Sequence, residues 1–117
     1  MSKQRQKGTA AETAVVKYLR ARNWSKADRH PLRGTLDQGD ISGIPDTVLE
    51  VKNCRTYTIP AWLRELEAEK KNANATTGAV IIKPNGVGLE KVGQWWAVMT
   101  MDDFMELIYE YVGDWDE

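Results

Sequence analysis

An acid and a base set inside a run of strong β-formers constrain this chain more than any other feature. Thr47-Val48-Leu49-Glu50-Val51-Lys52-Asn53 is rich in β-branched residues and reads as a strand. Side chains alternate faces along a strand, so Val48, Glu50 and Lys52 share one face and Thr47, Leu49 and Val51 the other. The Leu49/Val51 face suits a core. Glu50 and Lys52 are then neighbours on a surface that must be wet or metal-bound, because charges buried without partners are costly.

A second carboxylate precedes them. Asp40 follows Gly39, and nine residues separate it from Glu50. Asp40-Ile41-Ser42-Gly43 reads as a short strand and Ile44-Pro45-Asp46 as a turn, which together with Thr47–Asn53 make a hairpin. A turn there pairs residues whose numbers sum to 89 or 90, which sets Asp40 opposite Leu49 or Glu50. Directly opposite Cβ atoms lie about 4.5–5.5 Å apart. Two carboxylates at that separation repel unless a cation lies between them, and hard oxygen ligands suit Mg²⁺, with Mn²⁺ as a substitute. The Val51 backbone carbonyl can add a further oxygen. Asp46 is the rival carboxylate, but at roughly 3.3 Å per residue it lies about 13 Å along the strand from Glu50, too far to share an ion, and it reads as turn chemistry.

The rest of the chain frames this hairpin. A helix is expected from Thr9 to Arg22, with Ala11, Ala14, Val15, Tyr18 and Leu19 on its apolar face and Thr9 and Glu12 as a capping box. A first strand falls around Trp24–His30, and Pro31–Gly39 reads as a loop. A second helix starts near Pro60 with Trp62, Leu63, Leu66 and Ala73 inward. Gly78–Lys83 is a buried strand, Pro84–Gly93 a loop or wide hairpin, and Gln94–Thr100 a strand in which Trp95 and Trp96 face opposite ways. Thr100 caps a last helix with Met101, Phe104, Met105, Ile108 and Tyr111 inward. The order α-β-β-β-α-β-β-α gives an α/β fold, a mixed central sheet flanked by helices, in a single domain over residues 1–117.

Composition narrows the setting. The chain is 42% hydrophobic and 28% charged, which excludes a disordered or fibrous protein. No apolar run is long enough to span a membrane, so no membrane partner is expected. The charged start has no apolar core behind it, which argues against a secretory signal, and one cysteine, Cys54, forms no internal disulfide. A reducing, cytoplasmic location is expected. The net charge of −1 conceals an asymmetry. Nine Lys/Arg and two acids fall in residues 1–35, and seven acids with no base in residues 101–117. A basic first third is a candidate nucleic-acid footprint. Residues 1–7 read as a flexible basic arm in which Lys3, Arg5 and Lys7 grip phosphates, with His30 and Arg33 in or near the loop before Asp40 as further DNA contacts.

Asp40, Glu50-Val51-Lys52 and a first helix bearing Glu12 together resemble the PD-(D/E)XK nuclease superfamily. Within it, Lys7-Gly8-Thr9-Ala10-Ala11-Glu12 resembles the opening of archaeal-type Holliday-junction resolvases and related small phage nucleases. The resemblance spans residues 7–83. Gly39 stands where the family pattern has a proline before the aspartate. The resemblance implies a restriction-endonuclease-like fold and a metal-dependent DNA endonuclease. Asp40 and Glu50 would bind the ion, with Glu12 reaching it directly or through water, and Lys52 would position the attacking water or stabilise phosphate charge. It implies a branched-DNA substrate, a homodimer to cut a four-way junction symmetrically, and a prokaryotic or phage-infected host cell. Other nuclease types of the superfamily act on flaps, single strands or linear duplex. A non-catalytic DNA-binding or assembly protein of the same fold is the alternative of another class; the intact Asp40/Glu50/Lys52 set argues against it.

Overall fold

A computed structural model describes residues 2–31 and 36–113; Arg33 lies outside the described residues. The chain is α/β. Among the described residues five strands, β1 (Asp28–Arg29), β2 (Ile41–Ser42), β3 (Thr47–Lys52), β4 (Thr77–Ile82) and β5 (Trp96–Val98), form one sheet in sequence order. Three helices flank it: α1 (Lys3–Ala21), α2 (Ile59–Ala73) and α3 (Met101–Val112). A 3-10 segment, Leu89–Gln94, takes part of the stretch expected to be loop.

The hairpin register is the one the turn demands. Ile41 pairs with Leu49, and beyond that pair the Asp40 N–H donates to the Leu49 carbonyl at 2.9 Å. β3 and β4 are parallel, from Thr47 opposite Thr77 to Lys52 opposite Ile82, with α2 as the crossover; the other three pairings are antiparallel. A parallel pair needs such a crossover, and it carries the next helix onto a sheet face.

Both faces of β3 are therefore covered, which corrects the expectation of one open face. On one side Val51 and Ile41 pack with Ala11, Val15 and Val16 of α1 and with Trp95. On the other, Val48 packs with Val80 and Ile82 of β4 and with Trp62 and Leu66 of α2. Glu50 shares this second face and is only 6% exposed.

Two helices depart from expectation. α1 starts at Lys3 and not at Thr9, because Ser2 caps it: the Ser2 hydroxyl accepts from the Arg5 N–H at 3.1 Å. Lys, Gln and Arg are good helix formers, so nothing interrupts the run to Gly8. Lys3, Arg5 and Lys7 are thus exposed residues of the first helical turns and not a flexible arm. The Thr9 capping box does not form, and Glu12 is released for another partner. α3 does have its Thr100 cap, with the hydroxyl accepting from the Asp103 N–H at 3.2 Å. Its apolar row, however, faces out. Met101 is 68% and Tyr111 92% exposed, with Phe104, Met105 and Ile108 also at the surface. The physical reason is that α2 already covers that side of the sheet. α3 is held by one polar anchor, Asp103, its only buried residue among those described.

Trp95 and Trp96 do part company. Trp95 is buried and donates from Nε1 to the Gly88 carbonyl at 3.1 Å, while Trp96 is half-exposed and meets Tyr57 edge-on.

Candidate metal centre

Asp40 is fixed at three points. Its Oδ2 accepts from the Val51 N–H at 2.7 Å, its own N–H binds Leu49, and its carbonyl accepts from the His30 N–H at 2.7 Å. Within a strand the N–H and C=O of one residue point to the same edge. The Val51 carbonyl therefore faces the side on which Asp40 lies.

Gly39 explains the missing proline. Its φ is +96°, and a Cβ there would lie 2.7 Å from Val48 Cγ1 and 3.1 Å from the Leu49 carbonyl. Proline is locked near φ −65° and cannot take this conformation. Glycine lets the chain cross tightly over β3 and deliver Asp40 to it.

Glu50 and Lys52 sit beside Asp40. Lys52 Nζ is 3.5 Å from Glu50 Oε2 and 3.2 Å from Glu65 Oε2, and it stands 5.6 Å from the centre of the Trp62 ring. Burial pulls the Lys52 ammonium down, but the Glu50 and Glu65 carboxylates outweigh it and hold its pKa above the ordinary value. Glu12 Oε1 accepts from Arg29 Nε at 2.9 Å. Burial raises the Glu12 pKa against that Arg29 bond, and the Asp40 charge raises it further, which sets Glu12 in the field of Asp40.

Two carboxylates not foreseen from sequence join the cluster. One oxygen from each of Asp37, Glu50 and Glu69 lies within 4.8 Å of the others. Glu69 comes from α2 and is 2% exposed. A signal for it was present: Glu69 falls on the same helical stripe as Trp62, Leu66 and Ala73, a carboxylate where an apolar residue is expected. Asp37 is carried in by a loop tied to α2, since Gln38 Nε2 donates to the Asn72 carbonyl and Asn72 Nδ2 to the Asp37 carbonyl.

Burial above all raises the pKa of three of these carboxylates. Burial, then the Asp40 charge, pushes Glu50 up to about 8. Burial, then the Glu50 charge, pushes Glu69 up to about 9. Burial also raises Asp40, opposed by its bond from Val51. The metal-free protein then holds protons on Glu50 and Glu69 that the unfolded chain has already released above pH 4.5. Stability is fullest below that pH and is lost as the pH rises through 8 and 9. In EDTA the melting temperature should fall by at least about 5 °C between pH 5 and pH 9, and Mn²⁺ should reverse most of the fall at the alkaline end. A flat profile would mean that these carboxylates are solvated.

The other expected contacts divide. Lys7 offers its carbonyl to Asn53 Nδ2 at 3.2 Å, so the basic first turns of α1 adjoin the end of β3 that carries Lys52. His30 is held near Asp40 through its backbone, and with Gln38, Ile41 and Ala73 it lines a separate small cavity. Asp46 is a turn residue: it has φ +56° and its Oδ1 accepts from the Thr76 N–H at 2.8 Å. No helix among the described residues is long and apolar enough to cross a membrane.

Comparison with protein-family models, with curated proteins and with solved structures finds no match to this chain.

Proposed function

We propose that this protein is a metal-dependent DNA endonuclease that hydrolyses phosphodiester bonds. The observation that carries the reading is the convergence of Asp40, Glu50 and Lys52 at one end of β3, with Glu12 and Asp40 near enough to feel each other's charge. Oxygen ligands crowded at this density, with Glu50 Oε1 left without a hydrogen-bond partner, fit Mg²⁺ or Mn²⁺.

Asp40, Glu50 and the Val51 carbonyl would hold the ion, with Glu12 completing the set directly or through water. The ion, when bound, supplies Lewis-acid polarisation of the scissile phosphate and a bound water of lowered pKa. Lys52 does the remaining electrostatic work: its ammonium, steered by Glu50 and Glu65, stabilises charge on the phosphate or orients the attacking water. Arg29 fixes the Glu12 carboxylate. Lys3 and Lys7, four residues apart on one helical face, can neutralise phosphates of the same duplex.

Branched DNA, and a four-way junction first, is the substrate that the family resemblance supports. Symmetrical cutting then calls for a homodimer, and the apolar row that α3 leaves at the surface is consistent with association of chains. A cytoplasmic setting in a prokaryotic or phage-infected cell belongs to the same reading.

The test is cleavage by the purified chain with Mg²⁺ on matched four-way junction, flap, single-stranded and linear DNA. Junction cutting that EDTA stops is expected. Preference for another substrate would redirect the reading within the same chemistry, and binding without any cutting would point to the non-catalytic alternative. Lys52→Ala should slow cleavage by about 10²–10³ with little loss of affinity. A rate within a few-fold of the parent would reduce Lys52 to a partner for Glu65.

A further inference from the structure

We infer that Asp37, Glu50 and Glu69 hold a divalent cation of their own, on the α2 side of β3, in addition to the one assigned to Asp40, Glu50 and the Val51 carbonyl. The inference rests on the metal-centre reading above for its second, shared ligand, Glu50.

Three oxygens from three separate elements meet here, within 4.8 Å of one another. Six-coordinate Mg²⁺ binds oxygen at about 2.0–2.1 Å, so ligand oxygens around one ion lie no more than about 4.2 Å apart. At most one pair of the three can sit opposite across such an ion, so binding draws the carboxylates closer together. An acidic cluster at a surface would need no ion, because water would solvate it. Two of the three carboxylates in this one are not at the surface. Glu50 is 6% and Glu69 2% exposed, and Glu50 Oε1 and Glu69 Oε1 both lack a hydrogen-bond partner. Buried carboxylate oxygens left this way forfeit the interactions they had in water. The only described cation within ion-pair reach of Glu50 is Lys52, at Oε2, and no described ion pair reaches Glu69.

The surrounding fold holds the three ligands in place. Trp62 and Leu66 lock the rotation of α2 against Val48 and Val80, which turns Glu69 toward β3. The paired side-chain bonds between the Asp37–Gln38 segment and Asn72 tie the third ligand to the same helix. Asp37 is exposed, which gives the ion an entry from solvent. Hard oxygen donors without nitrogen or sulfur suit Mg²⁺ or Mn²⁺. With Glu50 shared, this second ion lies beside the first, the arrangement in which paired ions stabilise the attacking and leaving oxygens of a phosphoryl group.

The experiment is Mn²⁺ titration of the intact chain without DNA, with calorimetry and metal-bound EPR as readouts. The parent should bind two ions. Glu69→Gln and Asp37→Asn should each weaken one of them by more than about 100-fold, beyond what loss of a supporting contact costs. Asp40→Asn should instead weaken the other ion and keep the one on α2. Asp37 is on an exposed loop, so its variant reports even if Glu69→Gln perturbs folding. A single ion in the parent, or two ions unchanged in both Glu69→Gln and Asp37→Asn, overturns the inference. If two ions bind as described but no DNA is cut, the site stands and the nuclease reading fails.

Discussion

Asp40→Asn and Glu50→Gln should each reduce DNA cleavage by at least the 10²–10³ that loss of one preorganised charge stabiliser typically costs, while DNA affinity stays nearly unchanged. The substitutions are chosen to preserve shape. Asp40→Asn keeps a side-chain oxygen able to accept from the Val51 N–H, so the β2–β3 junction should persist. Glu50→Gln keeps the length of the side chain and removes its charge. Neither touches Lys3, Arg5 or Lys7, and phosphate contacts dominate affinity for DNA. The same changes should leave the protein as stable as before, or more so, in EDTA at alkaline pH. Each removes one charge from a buried cluster in which Asp40 and Glu50 raise the pKa of their neighbours. Loss of function with preserved or increased stability would separate a site maintained for chemistry from one maintained for folding. Cleavage at the parent rate in either variant, or in excess EDTA, would refute the metal-centre reading. Binding and cleavage are best measured on the same labelled DNA, with Ca²⁺ replacing Mg²⁺ for the affinities.

Asp103→Ala should produce the largest loss of stability, about 3–5 kcal/mol. Lys70 Nζ lies 2.7 and 2.8 Å from the two Asp103 oxygens, and both residues are buried. Asp103 Oδ2 also accepts from the Gly78 N–H at 3.1 Å, so one carboxylate joins α2, α3 and β4. Removing it strands a buried ammonium and a buried amide together. Glu67, 3.0 Å from Lys70 and half-exposed, offsets a part of that cost. A small domain has only about 5–15 kcal/mol in total, so the melting temperature should drop by more than about 12 °C. Lys70→Met combined with Asp103→Leu should recover much of the loss, because replacing both partners leaves no charge unpaired. A change under about 1 kcal/mol for Asp103→Ala would show that the pair is hydrated and that α3 is held by something else.

Local pattern carried the hairpin and the strand-borne part of the site. The β-branched run from Thr47 and the turn at Pro45 fix the register of Ile41 on Leu49, and that register brings Asp40 to Glu50. These are short-range relations, decided by strand alternation and turn length, and nine intervening residues leave little freedom. The helix caps were partly legible for the same reason: Thr100 acts as expected, while Ser2 captured a helix start that Thr9 also advertised.

Tertiary packing alone decided the rest. Glu69 is nineteen residues from Glu50 in the chain. It reaches the site because the parallel crossover lays α2 on β3 and because Trp62 and Leu66 set the rotation of that helix. Periodicity says which residues share a stripe; it does not say what the stripe is pressed against. The apolar row of α3 shows the same limit. Its spacing marks a face that avoids water, yet the sheet surface it could have covered was already taken by α2. Glu12 is the intermediate case: its position on α1 was readable, but its release from capping depended on where the helix began, and its orientation on Arg29 of β1. The sequence by itself determined the strand, the turn and the spacing of Asp40, Glu50 and Lys52. Only the packing of α2 over β3 decided that two further carboxylates would join them, because the distance between elements is set by the side chains buried between them and not by the residues along either one.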